Sequence, residues 1–430
     1  MNYFSLNDKS HQVSFAEAIV NGLAPGNSLY YPSEIPVFEP GFFSSMDKLT
    51  LPEIAFHVLK PYVANDLSDS VLKKITKQVF DFEIPLVEVQ PNIYSLELFH
   101  GPTLAFKDVG ARFLAQCMAQ ISKHRKIRVL VATSGDTGSA VANGFLGIKG
   151  NEVVVLYPKG KVSELQQKQF ATLGQNIHPI AINGTFDDCQ RLVKTAFSDI
   201  SINKPMNLTS ANSINIARWI PQSVYYYWAV AQLGKTGKKV VVSVPSGNLG
   251  NISAGLLAQK TGLPIHKFIV ASNQNNIVLN YLKTGEYLPK PSIQTIANAM
   301  DVGDPNNFPR VMQLHNNQLA EMNANLTGYS YSNDQIKNLI KQCKSANHYL
   351  LDPHGATGYG SLLDYHLSAD ELGIFLETAH PAKFREEVEP IIGEKLVLPK
   401  KLQEFDQRTI KTDELDADYD SFKVYLLGMG

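Results

Sequence analysis

From Lys126 onward, short β-branched runs alternate with stretches of helical period. The runs 127–132, 152–157, 239–244, 267–271 and 374–377 are almost continuously apolar. Strands of that kind are covered on both faces, which predicts parallel sheets in an α/β fold. Before them, residues 1–95 read as mixed helix and loop. A short helix starts at Phe15 and is broken by Gly22-Leu23-Ala24-Pro25-Gly26-Asn27, and 51–80 has helical periodicity interrupted near Pro61. Another helix is predicted from Val109, because Phe113, Leu114, Cys117, Met118 and Ile121 fall at helical spacing. The pattern predicts three parts: an N-terminal mixed helical lobe (1–95) and two open α/β domains (96–235 and 236–430). The Pro/Asn-rich stretch 303–310 reads as a mobile loop.

Composition agrees with a folded multi-domain protein. The chain has 430 residues, 44% hydrophobic and 18% charged, with a formal charge of −1. Two or three domains are the expectation at this length. There is no basic block or acidic tail, so neither a nucleic acid nor a membrane surface is expected as a partner. No apolar run approaches membrane-spanning length, and the first residues lack the apolar centre of a signal peptide. The cysteines Cys117, Cys189 and Cys343 are odd in number and far apart, which predicts neither a disulfide framework nor a zinc site. A cytoplasmic protein without a metal is the expectation.

The segment His100-Gly101-Pro102-Thr103-Leu104-Ala105-Phe106-Lys107 sets one lysine in apolar company at the mouth of a helix. The positive end of the helix dipole and partial desolvation both disfavour its ammonium form. A neutral amine is what covalent chemistry with an aldehyde requires. The competing reading is a lysine whose stem merely covers apolar surface. Two strand-to-helix junctions rich in small residues weigh against that reading. They are Ala132-Thr133-Ser134-Gly135-Asp136-Thr137-Gly138 and Val244-Pro245-Ser246-Gly247-Asn248-Leu249-Gly250-Asn251. Such turns let backbone approach a ligand, and the amides opening the next helix attract an anion. Neither has the spacing of a nucleotide-binding loop, and no zinc-protease or serine-esterase motif occurs.

Over nearly its whole length the chain resembles the threonine synthase family, in its long bacterial and fungal branch. The likeness is carried by Leu96 to Lys107, Ala132 to Gly138, Asn212-Ser213-Ile214-Asn215, Ser243 to Asn251, Asn298 to Gly303 and Glu377 to Phe384. It implies a pyridoxal-phosphate enzyme of fold type II (tryptophan synthase β-like) acting on O-phospho-L-homoserine, as monomer or homodimer. It also implies that Lys107 holds the cofactor covalently and that Gly247, Asn248, Leu249 and Asn251 hold its phosphate. Asn251 is the neutral form of a position that is a carboxylate elsewhere in the family, which suits an anion site. Thr378 is expected against the pyridine nitrogen. Ser134, Asp136 and Thr137 are expected on the substrate's α-carboxylate side, and Asn212, Ser213, Asn215 and Arg218 at its phosphate.

A hydroxyl facing a ring nitrogen does not hold it protonated as a carboxylate would, which favours elimination and replacement over transamination. Each role has a structural alternative. Thr378 could cap a strand end, Asn215 and Arg218 could lie on a helix face, and His100, His354 and His380 could orient loop backbone instead of acting as acids or bases. The rival activities are a phospho-lyase releasing a 2-oxo acid, a threonine or serine dehydratase, and a catalytically silent amino-acid-binding relative. An intact Lys107 argues against the last.

Overall fold

The computed structural model describes residues 1–121 and 126–429. The first strands, β1 (Tyr3–Ser5), β2 (Asp8–Val13) and β3 (Tyr30–Pro32), form a small antiparallel sheet that the sequence reading of 1–95 had not anticipated. Ser14 caps the helix Phe15–Asn21 in a reciprocal capping box with Glu17, and Gly22 ends it at φ 71°. Pro61 does not break the next helix, Leu51–Val63; it sits in the last turn, and the chain leaves the helix at Ala64.

Two further sheets build the body. β4 (Leu86–Gln90) and β5 (Ile93–Glu97) precede β6 (Ile127–Ala132), β7 (Asn151–Pro158), β8 (Ile177–Asn183) and β9 (Leu208–Ser210). After them come β10 (Lys239–Pro245), β11 (Lys267–Ser272), β12 (Leu326–Ser330), β13 (Glu371–Glu377) and β14 (Asp413–Asp416). A five-stranded sheet runs β14-β8-β7-β6-β9, with every pairing parallel. A six-stranded sheet runs β12-β11-β10-β13-β5-β4, parallel except for the antiparallel edge β4. Every residue of β6 and of β13 is buried, as continuous apolar runs require.

The sheets do not divide the chain at 95/96 and 235/236. β4 and β5 join the sheet built from residues after 236, while β14 returns to the sheet of the middle segment. Parallel partners need only lie side by side, so a strand far away in sequence can complete either sheet. Among the described residues no helix is long and apolar enough to cross a membrane. The three cysteines are buried and unpaired.

Candidate active site

The C-terminal ends of β5, β6, β10 and β13 converge, which is where open α/β sheets bind ligands. From β5 the chain passes through 98–106 and enters the helix Lys107–Ile121, so Lys107 is its first residue. Phe113, Leu114, Cys117 and Met118 bury the inner face of that helix. The connecting loop is pinned to the end of β13: Phe106 N donates to Thr378 O (2.9 Å) and His380 N donates to Leu104 O (3.1 Å). Leu104 takes φ 56°, rare for a branched residue, and the Tyr225 hydroxyl donates to Phe106 O. Asp108 reaches back to accept from Thr103 N (2.9 Å) and Thr103 Oγ1 (2.6 Å). Lys107 and Thr378 are thereby fixed relative to one another.

The Lys107 amine has no hydrogen-bond partner among the described residues and lies 5.7 Å from the Phe106 ring centre. Burial, helped by the charges of Lys383 and Arg218 and opposed by Asp136, lowers its pKa to about 8. This is the state anticipated from its setting in the sequence, a lysine near the point of losing its proton at physiological pH.

Two adjoining cavities meet at Lys107. In the inner one Lys107 faces Thr378, Arg218 and the turn Gly247–Leu249. That turn ends with Leu249 at φ 59°, and the helix Gly250–Lys260 opens immediately after it. A Cβ on Gly247 would lie 2.7 Å from Ala299 O and 2.9 Å from Met300 Cα, so only glycine fits. Asn251 Oδ1 accepts from the Tyr226 hydroxyl (2.8 Å), which leaves its buried Nδ2 as a donor without a partner. Free amides, an orphaned amide donor and an uncommitted amine suit a ligand that carries both a phosphate and an aldehyde.

The outer cavity, about 510 Å³, is lined by Ser134, Thr137, Asn212 and Ser213 together with Lys107. Asp136, expected with them, does not line it. Its carboxylate is buried and paired with Lys383 Nζ (2.6 Å), and it accepts from Gln166 Nε2 (2.9 Å). Burial pushes the Asp136 carboxyl up, but Lys383 and Lys107 outweigh this and hold it well below the usual carboxylate range. A carboxylate so committed supports the site from behind; it would in any case repel a substrate carboxylate.

Asn215 faces neither cavity. Its Nδ2 donates to Ile19 O (3.0 Å) and Ser210 O (3.0 Å), and its Oδ1 caps the helix Ile216–Trp219 through Ala217 N. The structural alternative holds for this residue, as a helix cap and not as part of a helix face. Arg218 is buried in the inner cavity beside the glycine turn, donates to Ala211 O, and keeps Nε without a partner. It shares the cavity of the glycine turn.

The histidines follow their structural alternatives. His100 pairs with Glu97 (2.7 Å), and His380 Nδ1 accepts from Ala382 N (3.1 Å), while burial lowers the His380 pKa to about 4. His354 Nε2 accepts from Ala299 N (3.1 Å), which places its proton on Nδ1, facing Asp352 (2.6 Å). Sequence reasoning missed Lys383 as a partner in the site. The segment Glu377 to Phe384 carries part of the family resemblance, but nothing local shows that its lysine reaches Asp136, 247 positions earlier.

Family models cover almost the whole chain: a threonine synthase N-terminal model over residues 2–80, a pyridoxal-phosphate-dependent enzyme model over 84–373, and a threonine synthase C-terminal model over 356–426. A threonine synthase of Haemophilus influenzae is 46% identical across 99% of this chain and 100% of its own. The crystal structure of threonine synthase from Escherichia coli superposes with a TM-score of 0.95 at 42% identity, covering 100% of both chains. A pyridoxal-phosphate-bound threonine synthase from Brucella melitensis superposes at 0.93 with 32% identity, over 99% of this chain and 98% of that one. With three adjoining models, full-length relatives and one converging set of strand ends in agreement, the chain belongs to the threonine synthase family of pyridoxal-phosphate-dependent enzymes.

Proposed function

We propose that the chain converts O-phospho-L-homoserine and water to L-threonine and phosphate, with Lys107 as the group that moves protons. The activity is that of a carbon–oxygen lyase using pyridoxal phosphate. The observation that carries the residue assignments is the placing of Lys107, Thr378 and the glycine turn around one cavity at the strand ends. When bound there, pyridoxal phosphate supplies an electron sink that makes the substrate's α and β protons removable.

The residues divide the remaining work. The backbone amides at Leu249 and Gly250, with Asn251 Nδ2, are positioned to hold the cofactor phosphate. Thr378 offers a neutral hydroxyl to the ring nitrogen. Lys107 would tether the cofactor, and its amine would take the α proton and serve the β carbon. An amine with a pKa near 8 suits both directions of transfer, because neither protonation state is strongly favoured. Ser134 and Thr137, on the turn after β6, are placed to orient the substrate carboxylate. Asn212, Ser213 and Arg218 supply donors for the phosphate that leaves from the γ carbon. Tethering one base beside three reacting carbons makes successive transfers effectively intramolecular.

The buried, unpaired cysteines suit a reducing cytoplasm as the place of action. Product analysis with O-phosphohomoserine tests the reaction. Threonine formation supports this reading, whereas release of 2-oxobutyrate alone would assign the site to a phospho-lyase.

A further inference from the structure

Of residues 303–310, which read as a mobile loop in the sequence, Phe308 to Arg310 open the helix Phe308–Leu314, and several side chains are held by packing and hydrogen bonds. Phe308 stacks on Tyr287 (ring centres 4.2 Å apart, planes at 6°), and Asn307 and Arg310 are fully buried. Arg310 pairs with no carboxylate among the described residues. It lies over the Trp219 ring (4.4 Å) and donates to Asn307 Oδ1 (2.7 Å), Ile214 O (2.7 Å), Tyr30 O (3.1 Å) and Ser213 O (3.3 Å).

We propose that this loop, with the start of the helix Phe308–Leu314, is a positioning device. Asn307, held by Arg310, and Asn306 beside it turn the hydroxyl of Ser213 and the amide of Asn248 so that both present donors to a phosphate monoester where the two cavities meet. The inference rests on the reading of Ser213 and Asn248 as anion ligands given above, and adds what orients them.

The argument is one of donor and acceptor identity. A guanidinium can only donate, so the Asn307 atom facing it must be Oδ1. The Asn307 Nδ2 must then face the other way, where it donates to Asn248 O (2.9 Å) and to Ser213 Oγ (3.2 Å). Ser213 Oγ is thereby an acceptor on the protein side, and its single hydrogen is left for the cavity. The same logic fixes Asn248. Its side chain faces Asn306 N, a backbone group that can only donate (3.3 Å), and Asn306 Nδ2 (3.0 Å), so Oδ1 takes that side. Asn248 Nδ2 then points away from the loop, with no protein partner among the described residues. Ser213 and Asn248 border both cavities, beside Lys107. Two aligned donors suit a phosphate oxygen and would oppose a cation or a donor group.

Asn307→Asp is the test, because it keeps shape and the contact with Arg310 but replaces the donating amide with an acceptor. The Ser213 hydroxyl would then turn toward the protein. Its new charge also acts through the field, so the substitution is made in the natural background and in Ser213→Ala. Affinity for inorganic phosphate is measured by calorimetry on the holoenzyme, affinity for pyridoxal phosphate on the apoenzyme, and KM with O-phosphohomoserine.

A tenfold or greater loss in the natural background, shrinking to threefold or less in Ser213→Ala, is expected. Loss confined to phosphate and KM identifies the substrate's phosphate as the ligand. Loss confined to the apoenzyme measurement identifies the cofactor's. Equal losses in both backgrounds, or none, would overturn the proposal. Should Asn307→Asp fail to fold, Asn306→Asp is expected to turn the Asn248 amide and weaken phosphate binding tenfold, whereas Asn306→Ala costs threefold or less. Unchanged affinity in Asn306→Asp would likewise refute the scheme. Threonine production by the unsubstituted enzyme is scored separately, so a failure of orientation leaves the assigned reaction standing.

Discussion

Replacing Lys107 with methionine should abolish turnover and at the same time make the apoenzyme more stable. Methionine matches the lysine stem and removes the amine whose charged form the site disfavours. A pKa lowered from 10.5 to about 8 means that the folded state binds the proton less tightly than the unfolded chain does. At 1.36 kcal/mol per unit this corresponds to a cost of about 3 kcal/mol while both states are protonated. Lys107 is only partly shielded, so about 2 kcal/mol is the expected gain at pH 7.

The sign of the pH dependence follows from proton counts. Below about pH 8 both states of the natural chain carry the proton, and the whole penalty is present. Between 8 and 10.5 only the unfolded chain holds it, so the natural protein gains stability as pH rises. Above 10.5 the penalty is gone. The advantage of Lys107→Met should therefore be largest below pH 8 and fade toward 10.5. Urea unfolding of the two apoenzymes, followed by fluorescence across that range, measures the difference. A variant no more stable at pH 7, or a gain independent of pH, would show that Lys107 is not held against its charge.

Four other outcomes are expected. Borohydride should bleach the visible band of the holoenzyme and fix the cofactor to the peptide containing Lys107; recovery of the label on another lysine would refute the assignment. Gly247→Ala places a methyl 2.7 Å from Ala299 O and should lower cofactor affinity roughly ten- to a hundred-fold by equilibrium dialysis, with the fold retained. Arg218→Ala removes charge-assisted contacts of about 1.5–3 kcal/mol and should raise KM for phosphohomoserine about ten- to a hundred-fold. Because Arg218 shares the cavity of the glycine turn, cofactor affinity should fall with it, and an unchanged value would separate the two anions. Thr378→Asp should hold the ring nitrogen protonated and raise transamination relative to threonine in a product assay; an unchanged ratio would mean that Thr378 does not face the nitrogen.

What could be read in advance was local. Lys107 announced itself because Gly-Pro turn, apolar neighbours and helix start lie within ten residues. The strands β6, β7, β10 and β11 were legible because burial on both faces leaves a continuous apolar run. The pieces that escaped depend on distant partners. β5 has an ordinary sequence and becomes internal only because β13 and β4 flank it. The acidic strand Asp413–Asp416 has no strand signature and forms along the free edge of β8. Asp136 looked like a ligand because it stands in a ligand-binding turn, and only the three-dimensional fold shows Lys383 neutralising it. Asn215 misleads for a related reason, since helix caps and anion sites draw on the same residue types. The stretch 303–310 has a loop's composition, and polarity alone does not distinguish a solvated loop from one whose side chains are spent on neighbouring turns.

The return of β14 to the sheet of the middle segment has a consequence for how the protein is made. Until residues 413–416 have left the ribosome, β8 remains an open edge, with unpaired backbone groups along Ile180–Asn183. Open edges template pairing with other chains. β5 likewise waits some 280 residues for its partner β13, so neither sheet can close early in synthesis. Nascent or prematurely terminated chains should accordingly be the aggregation-prone species, and a truncation before β14 would be lost to insolubility even though it spares every residue assigned to the chemistry.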